Sequence, residues 1–366
     1  MKVQAAVLMS PKSPFELHEL DLADPRAGEV LVRIAAAGVC HSDWHLVSGA
    51  TQHPMPCVAG HEGAGIVEAI GRGVTSVRPG DHVVLNWAPD CGHCFYCLRG
   101  KPNLCDTYVG PIWAGTMLDG TTRLSSAGKP IYHFCGLATF ASHAVVPEQS
   151  CVVARPDVPL EIAALVGCAV ATGVGAAMYT AAVRPGDSVA VFGCGGVGLS
   201  ILLGAKLCGA KTLIAIDQNP TKMDLARQFG ATHALLADAN VVKEVKQITA
   251  GRGADHAFEA VGIPQVQETA LEAVRPGGTL TLAGLSPMGT GTNLPGAILT
   301  RQEKTVKGSY YGSVHPRRDF PMLLDLYKSK KLDLDLLITK QYKLPQINQA
   351  YADMLSGNIA RGVIVF

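Results

Sequence analysis

Alternation of apolar and polar residues marks the first third of the chain as β-rich. Residues 28–34, Gly28-Glu29-Val30-Leu31-Val32-Arg33-Ile34, alternate as a half-buried strand does, and residues 65–70 follow the same period of two. The turn string Arg78-Pro79-Gly80-Asp81 separates such strands. Short strands with frequent glycines predict a compact barrel-like domain. Near residue 170 the pattern changes. Strands are predicted over 188–192, 211–216, 254–259 and 279–283, and helices over 197–207, 220–229 and 265–274. That βαβ order predicts a doubly wound parallel sheet, so the fold class is α/β. Beyond about residue 310 the pattern is irregular, apart from a helix expected over 319–329.

Length and composition narrow the function classes. A chain of 366 residues predicts two domains, and 48% hydrophobic with 17% charged residues is ample for a well-buried globular protein. A net charge of +1 argues against a nucleic-acid footprint or attraction to anionic lipid. The uncharged run from Ile162 to Val183 is long enough on paper to span a bilayer. Its Ala, Gly and Thr content, with Pro185-Gly186 just beyond, fits a buried helix packed closely on other backbone better. The N-terminal residues have too short an apolar stretch for a secretory signal, so a cytoplasmic location is expected. Eleven cysteines without such a signal point to metal ligation or buried thiols rather than disulfides.

Gly193-Cys194-Gly195-Gly196-Val197-Gly198 fits the G-x-G-x-x-G pattern, directly after a predicted strand and opening a predicted helix. Gly193 permits the tight turn, Gly195 lets backbone approach a pyrophosphate, and Gly198 lets helix and strand pack closely. The helix N-terminus, at Gly196 and Val197, offers free N–H groups to phosphates. Asp217, at the end of the next strand, is expected to accept hydrogen bonds from the adenosine ribose and to repel a 2′-phosphate. With no arginine beside it, NAD is favoured over NADP.

Two sets of metal-binding residues stand out. Cys91, Cys94, Cys97 and Cys105 form C-x2-C-x2-C-x7-C, which can close round one tetrahedral zinc in a structural role. An iron–sulfur cluster or a nucleic-acid-reading zinc module are the competing readings, the latter disfavoured by the neutral charge. The second set is dispersed: Cys40, His61 with its neighbour Glu62, and Cys168. Two thiolates and an imidazole leave one position of a tetrahedral zinc open, the arrangement of a catalytic site, but spacing alone does not bring these residues together.

With these motifs the whole chain resembles the zinc-containing alcohol dehydrogenases of the medium-chain dehydrogenase/reductase superfamily. The likeness extends to Gly60-His61-Glu62-Gly63-Ala64-Gly65, Pro79-Gly80-Asp81-His82-Val83, Gly115-Thr116-Met117, Asp119-Gly120-Thr121 and Ala360-Arg361-Gly362. The resemblance implies a Rossmann NAD-binding domain over 170–310 and a GroES-like catalytic domain over 1–169 and 311–366. It implies two zinc ions per subunit, the catalytic one on Cys40, His61 and Cys168, with Glu62 able to approach the metal during ligand exchange. Ser42 and His45 match a proton relay, His41 and Arg361 cofactor-phosphate contacts, Thr172 and Val197 residues pressing on the nicotinamide, and Lys222 a cofactor-ribose contact.

The implied reaction is reversible hydride transfer between a primary alcohol or aldehyde, aliphatic or benzylic, and NAD. By the same resemblance Trp87, Phe134, Leu285 and Tyr310 line an apolar substrate pocket, with Gly110 leaving its outer part wide. A rival is the branch that oxidises the glutathione adduct of formaldehyde. That branch carries charges where this chain has Thr51, His53 and Val109. A cofactor-binding protein without turnover is a further alternative, opposed by the retention of every ligand and relay residue. The long loop over 105–139 matches family members that form dimers, so a homodimer is expected, with a tetramer as the alternative. Cys57, Cys135, Cys151, Cys194 and Cys208 are expected to be buried thiols.

Overall fold

The glycine-punctuated strands of the first third build two sheets of one unit, and the βαβ stretch builds the other. In this computed structural model, which describes Met1–Phe366, unit 1 comprises 1–168, 315–330 and 338–366, and unit 2 comprises 169–314 and 331–337. Unit 1 holds a closed barrel of Lys2–Leu8, Phe15–Leu22, Leu124–Ser126, Lys129–His133 and Cys57–Val58. Its second sheet runs in the order Cys151–Val153, His82–Leu85, Gly63–Ile70, Glu29–Gly38, Arg361–Val365 and Ile338–Tyr342, with His143–Pro147 also paired to Glu29–Gly38. The strand Glu29–Gly38 starts where alternation predicts and runs four residues past the expected end, because it needs those residues to pair Ala36–Gly38 with the C-terminal strand.

Unit 2 is a six-stranded parallel sheet in the order His233–Leu236, Thr212–Asp217, Ser188–Phe192, Ala254–Glu259, Val274–Leu282, Thr305–Gly308. Numbered along the chain that is 3-2-1-4-5-6, the dinucleotide-binding topology, whose strand order reverses beside Ser188–Phe192. Ala190, Phe192, Ile214, Ile216, Ala257 and Leu280 of the central strands are 0–2% exposed, packed with Val245 and Leu271 from flanking helices. A strand covered on both faces reads as a continuous apolar run, which is why these strands are legible in the sequence.

The apolar run is the buried helix expected of it, and two other regions differ from expectation. The apolar run near 162–183 is helical over Leu160–Ala181, and 89% of its most apolar stretch is buried within the fold. The 105–139 segment is not an irregular loop: it carries the helix Asp106–Ala114 and the hairpin Leu124–Ser126 with Lys129–His133. Beyond residue 310 the chain is regular, with helices Pro316–Lys328 and Ile347–Leu355 and two strands that join the sheet of unit 1.

The hairpin strand ends on a fully buried histidine. His133 Nε2 accepts the backbone N–H of Arg123 at 2.9 Å. Burial, helped by the Arg123 charge and by His53, pushes its imidazole down to about 3. His133 is therefore neutral in the folded chain and takes up a proton on unfolding once pH falls below the ordinary value of about 6.5. Because the unfolded state binds more protons there, stability falls as pH drops from about 6.5 toward 3, by about 2 kcal/mol at pH 5 from this group. Urea unfolding of wild type and His133→Gln at pH 7 and 5 is expected to show a pH effect smaller by that amount in the variant. Equal pH effects in the two proteins would contradict the assignment.

Candidate metal and cofactor sites

The four cysteines of the 91–105 segment converge. Cys91 and Cys97 sulfurs lie 4.0 Å apart, Cys94 and Cys97 3.4 Å, and Cys94 and Cys105 3.9 Å. A tetrahedron with Zn–S bonds of about 2.3 Å has edges of about 3.8 Å, so the spacings fit a single zinc ion. All four sulfurs lie within 4.8 Å of one another, too close for ligands distributed over the separate irons of a cluster. Backbone N–H groups of Cys91 and Cys94 donate to Cys105 and Cys91 Sγ, both at 3.3 Å, as expected of a thiolate site.

The dispersed set also meets. Ligating atoms of Cys40, His61, Glu62 and Cys168 lie within 4.8 Å of one another, all four residues are buried, and His61 Nε2 is 3.2 Å from Cys168 Sγ. Cys40 is the extended residue that caps the helix His41–Ser48. His61 follows Gly60, whose φ of +90° and crowding by Thr139 and Phe140 leave no room for a side chain. Cys168 sits in a π-helical segment, Val166–Val170, where one extra residue per turn re-aims side chains, a device common at functional sites. A Cβ on the adjacent Gly167 would lie 2.8 Å from the Leu85 carbonyl oxygen, so that helix turn packs directly on the sheet.

The electrostatics suit a cation. A hydrogen bond from Cys168 holds the Cys40 thiol well below its ordinary range, with Arg361 and His61 adding to the effect. The same contact, with burial, pushes the Cys168 thiol up. A divalent ion with affinity for sulfur would satisfy both thiolates.

Two neighbours complete the cluster. Asp43, to which the sequence alone assigns no role, is fully buried; its Oδ2 is 3.1 Å from His61 Nδ1 and its Oδ1 accepts the Gly60 N–H at 2.8 Å. A carboxylate on the far nitrogen fixes a metal-binding histidine's tautomer and ring orientation, leaving Nε2 for the metal. Arg361, expected at a cofactor phosphate, has its guanidinium ion-paired with Glu62, both residues being buried. Gly38 makes room for that carboxylate, since a Cβ there would overlap it.

Ser42 Oγ lies 3.8 Å from Cys40 Sγ, and His45 follows one helical turn later on the same face. Burial lowers the His45 pKa, so it is neutral at pH 7. His41, first in that helix, is exposed. Of the four expected pocket residues, Trp87 and Phe134 are buried and approach His61 edge-on, with centroids at 6.3 and 5.6 Å. Leu285 and Tyr310 belong to unit 2, where they are 52% and 38% exposed. Cys57, Cys135, Cys151 and Cys194 are buried thiols, while Cys208 is half-buried.

In unit 2 the glycine turn is formed as its pattern requires. Gly193 has φ of +98°, the helix Gly196–Leu207 begins after Gly195, and a Cβ on Gly198 would overlap the Gly193 carbonyl. A Cβ on Gly195 would meet no protein atom within 4 Å, so the approach to the turn is open, which fits a pyrophosphate there. Asp217 accepts N–H bonds from Cys194 at 2.7 Å and Asn219 at 2.9 Å, which fixes its carboxylate beside the glycine turn. Lys222 is buried at the start of the next helix, and burial lowers its pKa. Thr172 is buried on the helix Ala171–Gly175; the Val197 backbone of the next helix is close enough that Gly173 has no room for a Cβ.

Comparison with known proteins agrees with this geometry. A profile of the alcohol dehydrogenase GroES-like domain matches residues 26–157, and one of the zinc-binding dehydrogenases matches residues 196–329. The chain is 43% identical to an NDMA-dependent alcohol dehydrogenase of Amycolatopsis methanolica, over 100% of this chain and 99% of that one. It is 41% identical to an S-(hydroxymethyl)glutathione dehydrogenase of Escherichia coli, over 100% of both. The crystal structure of benzyl alcohol dehydrogenase from Acinetobacter calcoaceticus superposes with a TM-score of 0.95 at 34% identity, covering 100% of this chain and 99% of that one.

Proposed function

This chain belongs to the zinc-dependent alcohol dehydrogenases of the medium-chain dehydrogenase/reductase superfamily, and we propose that its substrate is an apolar primary alcohol, aliphatic or benzylic, interconverted with the aldehyde. The observation that carries this reading is the buried Cys40, His61, Glu62, Cys168 cluster walled by Trp87 and Phe134. A zinc ion there supplies Lewis acidity that lowers the pKa of a bound hydroxyl, and NAD supplies the hydride acceptor.

The chain's own residues do the rest. Ser42 accepts the alcohol proton, and neutral His45, one turn away, receives it and releases it to water. Asp43 keeps His61 in the tautomer that offers Nε2. The Arg361 charge holds Glu62 in place beside the ligands. Trp87 and Phe134 bind the substrate by burial, since their rings offer little polar recognition and Trp87 crowds bulky secondary alcohols. A second, structural zinc on Cys91, Cys94, Cys97 and Cys105 completes the metal content. Pairing of two copies along the exposed edge of Thr305–Gly308 gives a homodimer.

Asp217 selects NAD. Its carboxylate is pre-positioned by two backbone N–H groups, ready to accept from ribose hydroxyls and to repel a 2′-phosphate. Asp217→Ala is expected to lower the preference for NAD over NADP at least about ten-fold in kcat/KM, the scale of one lost charged hydrogen bond. An unchanged preference would sink this role.

The Escherichia coli relative keeps the glutathione-adduct reading in view. Thr51, His53 and Val109 lack charge, and His53 Nδ1 is 2.9 Å from the Pro54 carbonyl oxygen, which leaves little to hold an anionic conjugate. Assays with primary alcohols, and with formaldehyde with and without glutathione, separate the two. Turnover of benzyl alcohol and no thiol-dependent formaldehyde oxidation is the expected result, and the reverse pattern would favour the rival.

A further inference from the structure

The parallel sheet reverses its order between Ser188–Phe192, which feeds the glycine turn, and the neighbouring strand Ala254–Glu259. A ligand held at such a reversal lies at the carboxyl ends of both strands. The second strand ends on Glu259, which is fully buried and pairs in register with Phe192. N–H donors rather than a cation hold its carboxylate. Oε1 accepts the backbone N–H groups of Val261 at 2.7 Å and Gly262 at 2.6 Å, and Oε2 accepts the Gln267 amide at 3.3 Å. A carboxylate buried without a counter-charge costs stability, which marks a candidate functional group. What it secures is a ledge beside the glycine turn. Val261 is 44% exposed, and a Cβ on Gly193 would lie 2.6 Å from its Cγ2. Gly262 lies so close to the Leu285 backbone that a Cβ there would overlap it. Gln267, buried on the helix Pro264–Ala273, carries the hold outward. Its amide nitrogen also donates to Ser286 Oγ at 2.9 Å, and its amide oxygen accepts the Thr292 hydroxyl. One carboxylate and one amide therefore tie the ledge and the 285–292 segment to a single strand end, all within unit 2.

We propose that Glu259 and Gln267 are positioning residues for NAD, fixing the Val261–Gly262 ledge on which the cofactor rests once its pyrophosphate is on the glycine turn. The assignment rests on the dinucleotide-binding reading of unit 2 and adds two buried residues to it. The pair has a direction. Glu259 can only accept, so Gln267 must turn its NH2 inward and its oxygen toward Thr292. Glu259→Gln keeps the acceptor for the two backbone N–H groups but sets one amide NH2 against another. Exchanging the two residues, Glu259→Gln with Gln267→Glu, restores a donor facing an acceptor and leaves two acceptor oxygens for the Ser286 and Thr292 hydroxyls.

The test uses the full-length, zinc-loaded protein and reads Kd for NADH by fluorescence titration, with KM for NAD and for benzyl alcohol measured alongside. In Glu259→Gln the Kd for NADH is expected to rise about ten-fold, the scale of one mispaired buried polar group, and KM for NAD to follow it. KM for benzyl alcohol should stay within about two-fold, because the chemistry's own groups are untouched. The exchanged double variant should recover Kd to within about three-fold of wild type. Thr292→Val, which removes only the outer hydroxyl and spares the buried carboxylate, should raise Kd about three-fold and decides the matter if Glu259→Gln does not fold. An unchanged Kd in folded Glu259→Gln, or in Thr292→Val where the first variant fails, overturns the assignment. A double variant no better than the single one overturns it as well. A wild type that binds NADH but oxidises no alcohol contradicts the alcohol dehydrogenase reading instead, and the same Kd comparison still decides the role of this pair.

Discussion

Cys168→Ala is expected to lower kcat for a primary alcohol by at least about a thousand-fold and to leave the chain folded. Changes to residues that merely orient a metal ligand cost about 10–100-fold, so loss of one of three protein ligands should cost more. The sulfur is 3.2 Å from His61 Nε2 and is delivered by the π-helical turn Val166–Val170, while the neighbouring Glu62 carboxylate is held by the Arg361 guanidinium. Stability should hardly change, because burial of so small an apolar side chain contributes only about 1 kcal/mol. The measurements are steady-state rates, circular dichroism and bound metal on the same preparation. Full turnover by a variant lacking the catalytic zinc would end the mechanism.

Cys97→Ala should do the opposite, with its main effect on stability. The 91–105 lobe has almost no core of its own: Phe95 and Leu98 are 56% and 73% exposed, and its regular structure is two single turns, Cys97–Arg99 and Pro102–Leu104. Its order therefore depends on four sulfurs held by one ion. Structural zinc contributes about 10–16 kcal/mol in isolated finger peptides, and even a third of that would unfold this lobe on metal loss. The expected signature is a lower Tm and fast amide exchange confined to this lobe and the adjoining helix Asp106–Ala114. An unchanged Tm and exchange pattern would contradict a structural metal.

What the sequence made legible follows from how local each signal is. The Gly193–Gly198 turn and the four-cysteine spacing carry their geometry within a few residues, and the structure forms both. Central strands such as Ser188–Phe192 are apolar throughout and read clearly. The strands His233–Leu236 and Thr305–Gly308 have four residues each and are partly exposed, so neither leaves a strong pattern. Gly110 and Pro111 suppress the helix signal of Asp106–Ala114, Pro111 lying inside the helix rather than in its first turn. The C-terminal strand Arg361–Val365 pairs with Glu29–Gly38 across more than three hundred residues, a contact no local period reveals. The pairing of Arg361 with Glu62 joins residues about three hundred positions apart, and only the folded cluster makes it visible. Asp43 was hidden differently. It stands in plain sight beside Cys40, but its partner His61 arrives from another segment.

The central claim is hydride transfer from an alcohol carbon to NAD at the Cys40, His61, Cys168 site. Its most direct measurement is mass spectrometry of the products formed by the zinc-loaded enzyme from NAD and benzyl alcohol carrying two deuterons on its hydroxyl carbon. One deuteron on the reduced nicotinamide for each mono-deuterated benzaldehyde is the expected result. Reduced cofactor without deuterium, or aldehyde formed without reduction of NAD, would contradict it.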